Sequence, residues 1–174
     1  VSITTSLQNP IFNTVWQSIQ ALPVLAEGAG EDALADVVMQ VMQKLQTEIP
    51  LYHWVGVYWL EGDTLKLGPY AGKFTDHTEI PVGVGVCGSA IKENQNLIID
   101  DVREISNYLA CSTETRAEIV VLIHHPQQPD VVLGQVDLDS DHPGAFGKED
   151  EAFLTRIAQW VGEQWLRSQV DRKI

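Results

Sequence analysis

The chain has 174 residues, enough for one ordinary domain and too few for two well-cored ones. Apolar residues make up 44% and charged residues 20%, the balance of a globular chain and not of a disordered one. Acidic residues outnumber basic ones 24 to 11, a net charge of −13 that argues against binding to nucleic acid or to an anionic membrane surface. Two cysteines, Cys87 and Cys111, exclude a disulfide-stapled scaffold and an all-cysteine metal cluster. No apolar run approaches the roughly 20 residues of a membrane helix. The first residues lack the basic-then-apolar pattern of a secretory signal, so a reducing cytoplasmic location is expected.

Residues 11–22 place Phe12, Val15, Trp16, Ile19 and Leu22 three or four apart, which predicts an amphipathic helix. Pro23 and the glycines at 28 and 30 end it. Glu31 and Asp32 open a second helix, with Leu34, Val37, Val38, Val41, Met42 and Leu45 on one face, stopping before Pro50. From His53 to Leu60 the chain is aromatic and β-branched. Glu61-Gly62-Asp63 is a turn signal and 64–67 alternate, so a β-hairpin is expected. A loop over 72–79, a glycine-rich stretch over 80–88, a short helix over 89–94 and a short strand at 97–99 follow. Residues 102–117 are polar and irregular. Two strong strands, 118–124 and 131–138, flank a hairpin loop at 126–130. A closing helix from Lys148 carries Phe153, Ile157, Val161 and Trp165 at four-residue spacing. Helices, then strands, then a helix indicate an α+β domain: one antiparallel sheet with helices mainly on one face. No repeat or linker breaks residues 1–174 into two domains.

Gly83-Val84-Gly85-Val86-Cys87-Gly88 matches G-x-G-x-x-G, but only about one and a half helical turns separate it from the next strand and no βαβ unit surrounds it. It reads as a tight loop that positions Cys87. Asp137-Leu138-Asp139-Ser140-Asp141 starts like a calcium loop, yet His142 and Lys148 occupy the positions that need Gly and Glu. In a strand, Asp137 and Asp139 face one side. They are either solvated edge charges or, given the apolar run before them, buried carboxylates that require a proton, a cation or a ligand between them. Glu118 enters the neighbouring strand and either faces solvent or points beside that pair. The five histidines are scattered, and no spacing matches a zinc or iron motif, so no metal site is expected. Trp54 is core by default and a pocket wall otherwise. Cys111 lies in a polar stretch, where a thiol is more accessible than the usual buried cysteine.

Several stretches together carry a resemblance: His53-Trp54-Val55-Gly56-Val57-Tyr58, Leu67-Gly68-Pro69-Tyr70-Ala71-Gly72-Lys73, Ile80 through Gly88, Ala110-Cys111, Glu118-Ile119-Val120, Gly134 through Ser140, and Phe146-Gly147-Lys148-Glu149-Asp150-Glu151. In this order they resemble the GAF-domain free methionine-(R)-sulfoxide reductases over roughly residues 30–165. The resemblance implies a single GAF domain, often paired as a homodimer, that reduces free methionine-(R)-sulfoxide. It implies Cys111 as the nucleophile that becomes a sulfenic acid, Glu118 and Asp139 as partners of the sulfoxide oxygen with Asp137 in support, and Trp54 and Tyr58 as pocket lining. No bound cofactor is implied; thioredoxin or another external thiol recharges the enzyme.

One departure stands out. Family members commonly carry a further, resolving cysteine after the Gly-Lys pair, where this chain reads Phe74-Thr75-Asp76-His77-Thr78-Glu79. Cys87 is then the internal candidate for resolving Cys111, and direct reduction by an outside thiol is the other route. The alternative function is a GAF module that binds a small ligand or senses redox state through Cys87 and Cys111 without catalysis. Against it stands the expectation that no kinase, cyclase or DNA-binding segment is attached.

Overall fold

The computed structural model describes residues 8–106, 108 and 113–169. Two helices lead, α1 (Pro10–Gln20) and α2 (Glu31–Glu48). Asn9 caps α1 by accepting the Ile11 N–H at 2.9 Å, and Pro10 occupies a first-turn position that needs no donor. Glu31 and Asp32 in the first turn of α2 meet the positive end of its dipole. The remaining order is β1 (Trp54–Glu61), β2 (Thr64–Ala71), β3 (Glu79–Pro81), α3 (Gly85–Glu93), β4 (Leu97–Ile99), a 3₁₀ turn at Val102–Glu104, β5 (Ala117–His125), β6 (Gln128–Ser140) and α4 (Lys148–Ser168). Asp150 accepts the Gly147 N–H at 2.9 Å and so ties down the start of α4.

The strands form one antiparallel sheet in the order β3-β2-β1-β6-β5-β4. Side chains alternate across it. Val55 and Val57 of β1, Ile119, Val121 and Ile123 of β5, and Val136 and Leu138 of β6 join the main core with α1, α2 and α4. Phe12 of α1 and Phe153 of α4 stack there at 4.5 Å between ring centroids. The intervening residues, Trp54, Tyr58, Val120 and Leu122, form a second, smaller cluster with Val86, Cys87 and Ala90 of α3 on the opposite face. The α+β class, the antiparallel sheet and the one-sided helix layer agree with the sequence expectation. Trp160, not Trp165, is the tryptophan of α4 that is buried in the core.

Three boundaries differ from those the sequence predicts. The expected short helix at 89–94 begins at Gly85, so Cys87 sits in its first turn and not in a tight loop. Gly83 (φ 88°) and Gly85 (φ 64°) turn the chain out of β3 into that helix, a route that L side chains rarely follow. The end of the loop expected over 72–79 contributes Glu79 to the short edge strand β3. The hairpin loop expected at 126–130 is largely strand, because irregularities at His124 and His125 let β6 begin at Gln128. Pro129 then lies near the strand start, where a missing N–H is tolerated.

The centre of the sheet depends on a close approach at Gly134. A Cβ there would come within 2.2 Å of the Tyr58 carbonyl oxygen and 3.0 Å of the Trp59 Cα. Both are backbone atoms, so β1 and β6 would have to separate. Gly134→Val should therefore destabilise the fold by about 1–3 kcal/mol. Chemical denaturation should show a lower midpoint with an unchanged slope; an unshifted midpoint would contradict this packing.

Candidate active site

The second face of the sheet carries three polar rows set by strand register. Trp54 of β1, Asp139 of β6 and Glu118 of β5 stand side by side. The next row is Gly56, Asp137 and Val120, and the third is Tyr58, Gln135 and Leu122. Residues two apart on a strand share a face, so Asp137, Asp139 and Gln135 all point towards α3. Glu118, Asp137, Asp139 and Cys87 are all buried. Cys87 descends from α3, and its thiol donates to Glu118 Oε1 at 3.7 Å. The ligand atoms of Cys87, Glu118 and Asp137 lie within 4.8 Å of one another.

Three carboxyl groups packed this way cannot all remain ionised. Burial is the main cause that holds Glu118 protonated well above the usual carboxylate range. The charges of Asp137 and Asp139 push it further up, and contact with the Cys87 thiol pulls it partly back. Burial likewise raises Asp137 to about 7, opposed by its contacts with Cys87 and Glu118. The two groups titrate together. The result is a store of exchangeable protons, available near neutrality, at a site closed off from bulk solvent.

A cleft of about 470 Å³ opens beside this store. His53, Trp54, Lys73, Thr115, Asp139 and Asp141 are among its walls. Trp54 lies over Gly56, where a Cβ would meet its ring at 2.4 Å, and it stacks on Tyr70 at 5.4 Å. The Trp54 indole N–H donates to the Lys73 carbonyl at 3.1 Å, and the Tyr58 hydroxyl donates to the His77 carbonyl at 2.8 Å. These two bonds fasten the 72–78 loop to β1. Tyr58 is fully buried, packs with its ring 6.3 Å from that of Trp54, and is not among the residues that line the cleft. His53 Nδ1 accepts the Asp141 N–H at 3.1 Å, which fixes the mouth next to Asp139. A larger cavity, about 590 Å³, lies elsewhere, under Trp59 and Trp165 between α2 and α4. Neither the thiol nor any of the three carboxylates lines it, whereas Asp139 lines the smaller cleft.

The structure thus brings together Cys87, Glu118, Asp137 and Asp139, with Trp54 at the cleft wall and Tyr58 packed beside Trp54. Cys111 lies outside the described residues. The sequence reading missed His53, Lys73, Thr115 and Gln135. Of these only Gln135 carried a usable signal, since it stands two residues before Asp137 on a strand already read as buried.

The GAF domain family matches residues 30–165. The chain is 36% identical to the free methionine-R-sulfoxide reductase of Escherichia coli strain K12 over 129 residues, 74% of this chain and 76% of that protein. It superposes on the type II free methionine-R-sulfoxide reductase of Thermoplasma acidophilum with a TM-score of 0.73 at 37% identity, covering 80% of this chain and 96% of that one. Against the fRMsr of Staphylococcus aureus in complex with substrate, the TM-score is 0.75 at 26% identity, over 92% of this chain and 99% of that one. The fold and the site therefore define a GAF domain. Within that class, the chain belongs to the free methionine-(R)-sulfoxide reductase family.

The raised carboxyls make a prediction for stability. A carboxyl with a raised pKa is still protonated in the folded chain at a pH where the unfolded chain has already lost that proton. Folding is therefore weakened as pH climbs from the ordinary carboxylate range through about 7, the value set by Asp137. Asp137→Asn removes this term. Its stability should fall less than that of the parent chain over that window, and the variant should gain relative stability above it. Parallel pH profiles in denaturant melts would contradict the assignment.

Proposed function

We propose that this chain reduces free methionine-(R)-sulfoxide to methionine, using Cys111 as the nucleophile. What carries the reading is the convergence of the Cys87 thiol with Glu118 and Asp137 beside Asp139, which with Trp54 lines the neighbouring cleft. A sulfoxide oxygen leaves only when protonated, and buried carboxyls that keep protons near neutral pH are suited to supply them. Relatives with this named activity support the substrate class.

In the proposed cycle the Cys111 thiolate attacks the substrate sulfur while Glu118 and Asp139 hold and protonate the oxygen, with Asp137 as the adjoining proton store. The oxygen passes to Cys111, which becomes a sulfenic acid as the sulfoxide is reduced to the thioether. Cys87 then attacks the Cys111 sulfur, and the sulfenic oxygen departs as water, leaving a disulfide. Thioredoxin or another dithiol reduces that disulfide and becomes oxidised in turn. A reducing cytoplasm, which keeps such dithiols available, is the compartment this cycle requires. Trp54 supplies the flat apolar wall for the substrate side chain, and Tyr58 holds the 72–78 loop in place behind it. Among the described residues no helix is long and apolar enough to cross a membrane.

The two-cysteine count favours one second reading, a ligand-binding module without turnover. Supplying each epimer of free methionine sulfoxide with dithiothreitol, or with thioredoxin, its reductase and NADPH, separates the two. Methionine should form from the R epimer alone. Cys111→Ser should abolish it, and Glu118→Gln should lower kcat by about 10²–10⁴-fold. Cys87→Ser should impair thioredoxin-driven turnover more than single-turnover release. No methionine from either epimer with dithiothreitol would replace the enzyme reading with the ligand-binding one.

A further inference from the structure

We infer that Cys87, Glu118 and Asp137 form an inhibitory binding site for zinc or a similar borderline-soft divalent cation. Three elements deliver its ligands: α3 the sulfur, β5 and β6 one carboxylate each. This is why no ligand motif is visible along the chain. The Cys87 Sγ to Glu118 Oε1 separation is 3.7 Å, and all three ligand atoms fall within 4.8 Å of one another. With zinc–sulfur and zinc–oxygen bonds of ordinary length, tetrahedral geometry sets the sulfur–oxygen separation at about 3.5 Å. The Cys87–Glu118 separation is close to that value, and Asp137 brings its ligand atom within 4.8 Å of both. One sulfur ligand among oxygens favours zinc over magnesium or calcium, which take oxygen alone.

A second observation points the same way without depending on the acids. Gln135, two residues before Asp137 on the same face of β6, is wholly buried, and among the described residues neither atom of its amide has a hydrogen-bond partner. An unpartnered amide at that depth calls for a water or an ion-bound ligand beside it. Three protein ligands leave zinc a fourth position for a water. Asp139, which faces Glu118 across the register, lines the cleft of about 470 Å³ beside these ligands.

Binding replaces the thiol proton of Cys87 and the protons held by the two carboxyls, all of which leave to solvent. The inhibitory consequence rests on the reductase reading: zinc would withdraw the proton store and block the thiol that resolves Cys111. The binding itself does not rest on it.

Cobalt(II) serves as the spectroscopic probe and zinc as its competitor, on fully reduced, full-length protein without oxygen. Cobalt should produce a near-ultraviolet thiolate-to-metal charge-transfer band in the parent chain and in Cys111→Ser, and one equivalent of zinc should erase it. Cys87→Ser should show no band, and Asp137→Asn should bind cobalt about tenfold or more weakly. A parent chain without the band in excess cobalt overturns the site, as does a band that survives Cys87→Ser or disappears in Cys111→Ser. Asp137→Asn, nearly identical in shape, keeps the test decisive if Cys87→Ser does not fold: unchanged cobalt affinity there also overturns it. Cobalt binding as described in a protein that makes no methionine would overturn the reductase reading and leave the metal site standing.

Discussion

Pairing of β5 with β6 sets Glu118 directly across from Asp139, and places Asp137 one row further in on the same face. The register cannot slip by one residue without turning Ile119, Val121, Val136 and Leu138 out of the main core. The energy that holds three carboxyl groups together thus comes from the other side of the sheet. Their mutual repulsion and loss of water are costly. The apolar packing under α2 and α4 fixes the strands regardless, and the chemistry adapts by retaining protons.

The two faces of the sheet divide the labour. One carries the main core and most of the stability. Among the described residues the other has α3 as its α-helical cover, and the first turn of α3 aims Cys87 at the carboxyl cluster. The 72–78 loop completes the wall, held by the Trp54 and Tyr58 hydrogen bonds to its carbonyls. This loop is where the resembling enzymes commonly hold a third cysteine. This loop has a mechanical role here, and among the described residues the thiol beside the acids is Cys87.

Much of this architecture is legible in the amino-acid sequence. Alternation of β-branched residues in 118–124 and 131–138 reveals both strands, and the two-residue spacing of Asp137 and Asp139 puts them on one face. Four-residue spacing reveals α4, although the burial of Trp160 in place of Trp165 depends on how that helix rolls against the sheet. Helix α3 is half hidden, because glycines at 83, 85 and 88 read as a loop, whereas contacts with β3 and β5 make the segment helical. Lys73, His53 and Thr115 are not legible as site residues. They reach the cleft from separate loops and strands, and the bonds that fasten its walls run through the backbone carbonyls of Lys73 and His77, on which side-chain identity leaves no mark.

The central claim is that a buried carboxyl beside Cys87 keeps its proton up to neutral pH. Carbon-13 labelling of the aspartate and glutamate carboxyls, followed by NMR from about pH 4 to about pH 9, tests it most directly. The prediction is a coupled titration with one step near 7 that disappears in Asp137→Asn. A spectrum in which every carboxyl of the reduced protein titrates in the ordinary range would contradict it.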